Sequence, residues 1–114
     1  MDIIRFSKDF EKLKKDIFQT IEDKDKGLKL GRTVIISSPN CKFEAEVVGM
    51  QKVTLSSLSL DFLLNDLGLR PAREYSKAQL EVSVLKKFQK FYPNLQWSDT
   101  VYVYTFHAKK NRGE

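Results

Sequence analysis

Hydrophobic and polar residues alternate most cleanly in Phe43-Glu44-Ala45-Glu46-Val47, with apolar side chains on one face and carboxylates on the other. Successive side chains leave a strand on opposite faces, so this pattern predicts a half-buried strand within the segment Lys42 to Leu58. Gly49 interrupts the alternation and predicts a bulge or a close backbone approach. The hydroxyl-bearing run Thr54-Leu55-Ser56-Ser57 ends the strand and supplies candidates to cap a new helix. Leucine and phenylalanine then stand at positions 58, 60, 62, 63, 64 and 67, too densely to alternate. A buried helix ending at Gly68 is expected there, because glycine tolerates the left-handed conformation that closes a helix. Ser76 caps a second helix, whose stripe of Leu80, Val84, Phe88 and Phe91 is widened by Val82 and Leu85. Tyr92-Pro93-Asn94 closes that helix. The chain then returns as a strand from Thr100 to Phe106, with Tyr102, Tyr104 and Phe106 on one face.

The first third is less regular. Ile3 to Phe6 reads as a short strand, and Ser7 as the N-cap of a helix burying Phe10, Leu13 and Ile17. Lys8, Lys12, Lys14 and Lys15 lie mostly off that stripe and are expected in solvent. Ile17 to Glu22 mixes β-branched and aromatic residues and reads as a strand. Turns are expected at Asp23 to Gly27, at Lys29 to Arg32 and at Ser38-Pro39-Asn40, with a short strand from Thr33 to Ser37 between the last two. The order is strand, helix, several strands, two helices, strand, which defines an α+β class. About five strands in so short a chain would expose damaging edges unless the sheet curled into a small barrel.

Composition bounds the reading without directing it. The 114 residues predict one domain, 1–114, with 109–114 a frayed basic tail. Hydrophobic content of 41% and charged content of 31% are ordinary for a soluble globular protein. No apolar run approaches the roughly 20 residues needed to span a membrane. Cys41 is alone, which excludes an internal disulfide and a thiolate metal cluster. With no long apolar stretch at the N-terminus, a reducing cytoplasm is expected. The net charge of +5 favours polyanionic partners. His107 stands without a second ligand set, so no metal or other cofactor is expected.

Several of these segments resemble the ASCH family, within the PUA-like β-barrel superfamily. Phe43 to Leu58 is similar to the family's apolar-alternating strand running into Val-Thr-Leu-x-x-Leu, here Val53-Thr54-Leu55-Ser56-Ser57-Leu58. Tyr92-Pro93 resembles the end of the family's second helix, and Val101 to Phe106 its closing strand. Lys29-Leu30-Gly31 resembles a Lys-x-Gly-Asp turn, with Arg32 where the aspartate is usual. The resemblance implies a small mixed β-barrel of about five strands with two to three flanking helices. It also implies a positively lined cleft beside the barrel, associated with RNA or modified nucleosides.

Some members of the family deacylate N4-acylated cytidine with a Lys-Thr-x-Thr-x-Arg segment and a carboxylate on a later helical stretch. By that resemblance Thr20 matches the second threonine and Asp66 the carboxylate. Ile17 occupies the lysine's position and Glu22 the arginine's, and a connection shorter by two residues would bring Lys15 into the lysine's place. Lys15, Thr20 and Asp66 are therefore the candidate catalytic residues.

The basic residues expected in loops, Lys24, Lys26, Lys29, Arg32, Arg70 and Arg73, are the candidate RNA contacts, because loops around a barrel mouth can gather phosphate-binding groups. Trp97 can stack on a base or plug one end of the barrel. The expected function is an RNA- or nucleotide-binding domain. The alternatives are an amidohydrolase acting on an acylated nucleoside and a protein-interaction module.

Overall fold

In the computed structural model residues 2–69 and 75–109 are described; Arg70, Arg73 and the tail beyond Lys109 lie outside the described residues. Five strands form one sheet: β1 (Ile3–Arg5), β2 (Ile17–Glu22), β3 (Thr33–Ser38), β4 (Cys41–Thr54) and β5 (Thr100–Ala108). Their hydrogen-bonded order is β1-β3-β4-β5-β2, with β1 parallel to β3 and every other pair antiparallel. Two helices follow β4: α1 (Leu60–Leu67) and α2 (Lys77–Phe91). This is the expected α+β class.

The sheet is curled rather than flat. One buried cluster draws Phe18 from β2, Val34 and Ile36 from β3, Phe43, Ala45 and Val47 from β4, and Tyr104 and Phe106 from β5, with Ile4 of β1 packed against it. A single apolar interior shared by all five strands requires the edges to bend toward each other. A second cluster lies outside the curl, where Leu63, Leu64 and Leu67 of α1 and Val84 and Phe88 of α2 cover Ile21, Val101 and Val103. β5 therefore buries both faces, Tyr104 and Phe106 inward and Val101 and Val103 toward the helices.

Local chemistry explains most boundaries. Ser76 caps α2 in a reciprocal box, its hydroxyl accepting from the Gln79 N–H while the Gln79 side chain accepts from the Ser76 N–H. Ser59, not a residue of the Thr54–Ser57 run, caps α1 by accepting from the Phe62 N–H at 3.1 Å. Gly68 closes α1 at φ 69°, a left-handed conformation that glycine adopts without a side-chain penalty. The predicted interruption in β4 is a bulge: Val47 pairs with Phe106 and Gly49 with Thr105, leaving Val48 as the extra residue. A Cβ at position 49 would lie 3.3 Å from both Cβ and Oγ1 of Thr105. We expect Gly49→Val to lower stability by about 1–3 kcal/mol, the usual cost of overpacking, in urea unfolding. An unchanged midpoint would show that Thr105 moves aside freely.

Two expectations are corrected. The helix predicted from Ser7 is only a 3-10 turn, Glu11–Lys14, because Lys15 is already extended and Ile17 onward pairs with β5. Ile17 consequently leaves the proposed apolar stripe and stands 58% exposed at the start of β2. Lys12, expected in solvent, is folded inward instead, as described next.

Candidate functional site

A cleft of about 200 Å³ lies where the two sheet edges approach each other. Arg5 and Phe6 at the end of β1, Phe10 and Lys12 of the 3-10 turn, and Thr20 and Glu22 of β2 contribute to its wall. Asp66 of α1, Phe91 of α2 and Tyr92 at the end of α2 also line it.

The period of each element puts these groups together. Phe18, Thr20 and Glu22 share one face of β2, so a strand that buries Phe18 also carries Thr20 and Glu22 inward at its far end. Leu63 and Asp66 are three apart on α1 and share a face, so burial of the leucine draws the carboxylate in.

The central contact is an ion pair between Lys12 Nζ and Asp66 Oδ1 at 2.7 Å, joining residues 54 positions apart. The two side chains are only 12% and 9% exposed. The Lys12 ammonium also sits 5.3 Å from the Phe6 ring centroid and 5.5 Å from that of Phe10, over aromatic faces that favour a cation. Burial pushes the Asp66 carboxyl above the usual carboxylate range, while the Lys12 charge and hydrogen bond pull it back down. Its place in the last turn of α1, against the negative end of the helix dipole, adds to the strain on the ionised form.

Glu22 organises the opposite wall. Thr20 Oγ1 donates to Glu22 Oε2 at 3.3 Å, and Tyr92 Oη lies 3.3 Å from Glu22 Oε1 and 3.2 Å from the Ile21 carbonyl oxygen. Lys26 Nζ approaches the same Oε1 at 3.5 Å from the solvent side. Burial, followed by the Glu22 carboxylate, raises the Tyr92 phenol far above its ordinary value, so it remains a hydrogen-bond donor at any physiological pH. The cleft thus presents an ammonium and a guanidinium, two carboxylates, a threonine hydroxyl and a phenol within an aromatic surround.

Thr20 and Asp66, two of the three candidates for catalysis, meet in this cleft. Lys15 does not line it; its side chain is exposed and borders the adjoining depression. The lysine that the fold supplies is Lys12. The signal for it was the carboxylate at position 66, uncompensated on its own helix, together with Phe6 and Phe10, which shortly precede Lys12 in sequence.

Among the loop cations, Lys26 reaches the cleft through Glu22, and Lys24 borders a depression beyond Tyr92. Lys29 is exposed, and Arg32 pairs with Asp2 at 3.1 Å; neither lines the cleft. Trp97 packs half-buried on the helical cluster, and its carbonyl accepts from the Ser56 N–H, so it is a wall element outside the cleft.

The fold is that of a known domain. The chain is similar to the crystal structure of an ASCH domain from Lactobacillus crispatus, with a TM-score of 0.53 over 94% of this chain and 79% of that one, at 10% sequence identity. No family sequence profile matches the chain. An uncharacterised protein of Methanocaldococcus jannaschii is 36% identical over 67 residues, which cover 55% of this chain. The match spans 59% of that curated relative's length. Among the described residues no helix is long and apolar enough to cross a membrane.

Proposed function

We propose that this ASCH-like domain binds RNA or a nucleotide-like ligand, taking a base into the cleft between Lys12–Asp66 and Glu22. The observation that carries this reading is the nearly buried Lys12–Asp66 pair beside a second carboxylate in an aromatic-walled cleft. Two charges withdrawn from water are costly unless the site uses them, and perturbed carboxylates gather at functional clefts. Phe6, Phe10, Phe91 and Tyr92 offer surface for a planar ring, while Glu22, held in place by the Thr20 and Tyr92 hydroxyls, keeps lone pairs to accept a hydrogen bond from the base. Cations and carboxylates balance within the cleft, which suits a neutral polar ring better than a phosphate. In fluorescence anisotropy, short single-stranded RNA should bind with a salt-dependent affinity, and Phe91→Ala should weaken it by about 1–3 kcal/mol, the usual worth of one base–aromatic contact. Phe91 is 47% exposed, so its loss leaves the core intact. RNA binding indifferent to Phe91→Ala would sink the reading.

A second reading is an amidohydrolase acting on an N4-acylated cytidine or a related nucleoside. It is favoured by one observation, the placing of the Thr20 hydroxyl and the Lys12–Asp66 pair in one cleft. Water would add across the exocyclic amide to release cytidine and a carboxylic acid. Incubation with N4-acetylcytidine tests it: cytidine formation lost in both Thr20→Ala and Asp66→Asn supports the enzyme, and no turnover in the native protein rejects it.

A further inference from the structure

Two depressions flank the cleft, and their chemistry differs in sign. The first, of about 280 Å³, shares Lys12 and Asp66 with the cleft and adds Lys15, Gln19 and Asn65. Among the described residues that border it Asp66 is the one carboxylate, already engaged by Lys12, so Lys15 is a cation in excess. Gln19 donates through Nε2 to Thr105 Oγ1 at 3.1 Å, which leaves its second N–H available, and the Asn65 amide is exposed. The second depression meets the cleft at Tyr92 and is bordered by Asp23, Lys24 and Asp99, a carboxylate in excess. The Asp99 carboxylate accepts from the Gln96 N–H at 2.9 Å.

Resting on the reading of the cleft as a base site, we propose that the ligand's phosphate lies over Lys15, Gln19 and Asn65, on the far side of the Lys12–Asp66 pair from Tyr92. The ion pair is then the divider between a base compartment and a phosphate compartment. An anion on the Tyr92 side would meet Asp23 and Asp99, whereas on the Lys15 side it meets an exposed ammonium and two amide donors. The strand or nucleotide therefore has a fixed polarity across the domain. The phosphate is either the terminal group of a mononucleotide or the internucleotide group of RNA, which share this chemistry.

The test uses the four ribonucleosides, their 5′-monophosphates and single-stranded tetranucleotides without terminal phosphates, titrated by NMR into the full chain at low salt. The native protein should bind one phosphate-bearing class about tenfold more tightly than the nucleoside, a difference read directly as a ratio of dissociation constants. Lys15→Glu, an exposed change, should abolish that advantage and leave nucleoside affinity unaltered, while Lys24→Glu should preserve it. An advantage confined to the monophosphates identifies a terminal phosphate, and one confined to the tetranucleotides an internal one. Nucleoside binding without any phosphate advantage, or an advantage that survives Lys15→Glu or falls equally in Lys24→Glu, would overturn the compartment and leave the base site standing. No binding of any of the three classes at millimolar concentration would overturn both.

Discussion

Lys12→Met alone and Asp66→Leu alone should each lower stability by about 2–4 kcal/mol, somewhat under the full cost of orphaning one member of a buried ion pair, because the cleft admits water on one side. The double variant should regain most of that loss. Each single change leaves an unpaired charge that is close to nine-tenths buried, whereas the double change leaves apolar groups against Phe6, Phe10 and Leu67. Buried ion pairs replaced as a unit by apolar residues are often neutral or better. Urea unfolding of the four proteins in a double-mutant cycle measures the coupling, and additive single effects would show that the 2.7 Å contact contributes nothing.

The same pair sets a pH dependence. Burial raises the Asp66 carboxyl in the folded state, so the folded chain holds that proton more tightly than the unfolded chain. This residue therefore weighs progressively against stability as pH climbs from the ordinary carboxylate range through its raised value, and most heavily at neutral pH. Lys12→Met removes the opposing charge and should extend that decline to higher pH, and Asp66→Asn should abolish it.

Phe106→Ala should be at least as damaging. The ring is fully buried in β5, its centroid 5.5 Å from that of Phe18 and 6.4 Å from that of Tyr104. Loss of a buried phenylalanine costs about 3–5 kcal/mol in transfer and cavity terms. A small domain has roughly 5–15 kcal/mol in total, so this single change should bring the protein near its unfolding threshold at ordinary temperature. Phe106→Leu should keep more than half of the lost stability, because it refills most of the volume. Thermal melts of the two variants that coincided would place the ring in a site able to collapse around it.

What was legible in the chain was what neighbours in sequence decide. Phe43 to Val47 alternates because its own pleat does, Gly49 marks its bulge, and Gly68 and Ser76 mark helix ends through their own backbones. The segment from Ser7 to Ile17 was misread because its apolar spacing fits a helix in isolation, while pairing of Ile17 with His107 claims it for a strand. Lys12 looked like any lysine on a wet face, set apart from Lys15 only by the nearness of Phe6 and Phe10. Its partner stands on another element, and only the curl of the sheet brings the two together. Asp66 was the better clue, since a carboxylate in the last turn of a helix has no local reason to be there.

β5 lies between β4 and β2 and divides the two apolar clusters, so neither cluster can close before Thr100–Ala108 is in place. Until then β2 lacks the strand it pairs with among the described residues, and Phe18 and Ile21 lack the part of their cover that Phe106, Val101 and Val103 supply. Emerging from the ribosome, residues 2–99 are an unfinished sheet with open edges, a state exposed to aggregation and to chaperone capture. Pairing over such separations is slow, because loop closure must precede the contacts that reward it. The strand that completes the fold thus also sets the moment at which the cleft first exists.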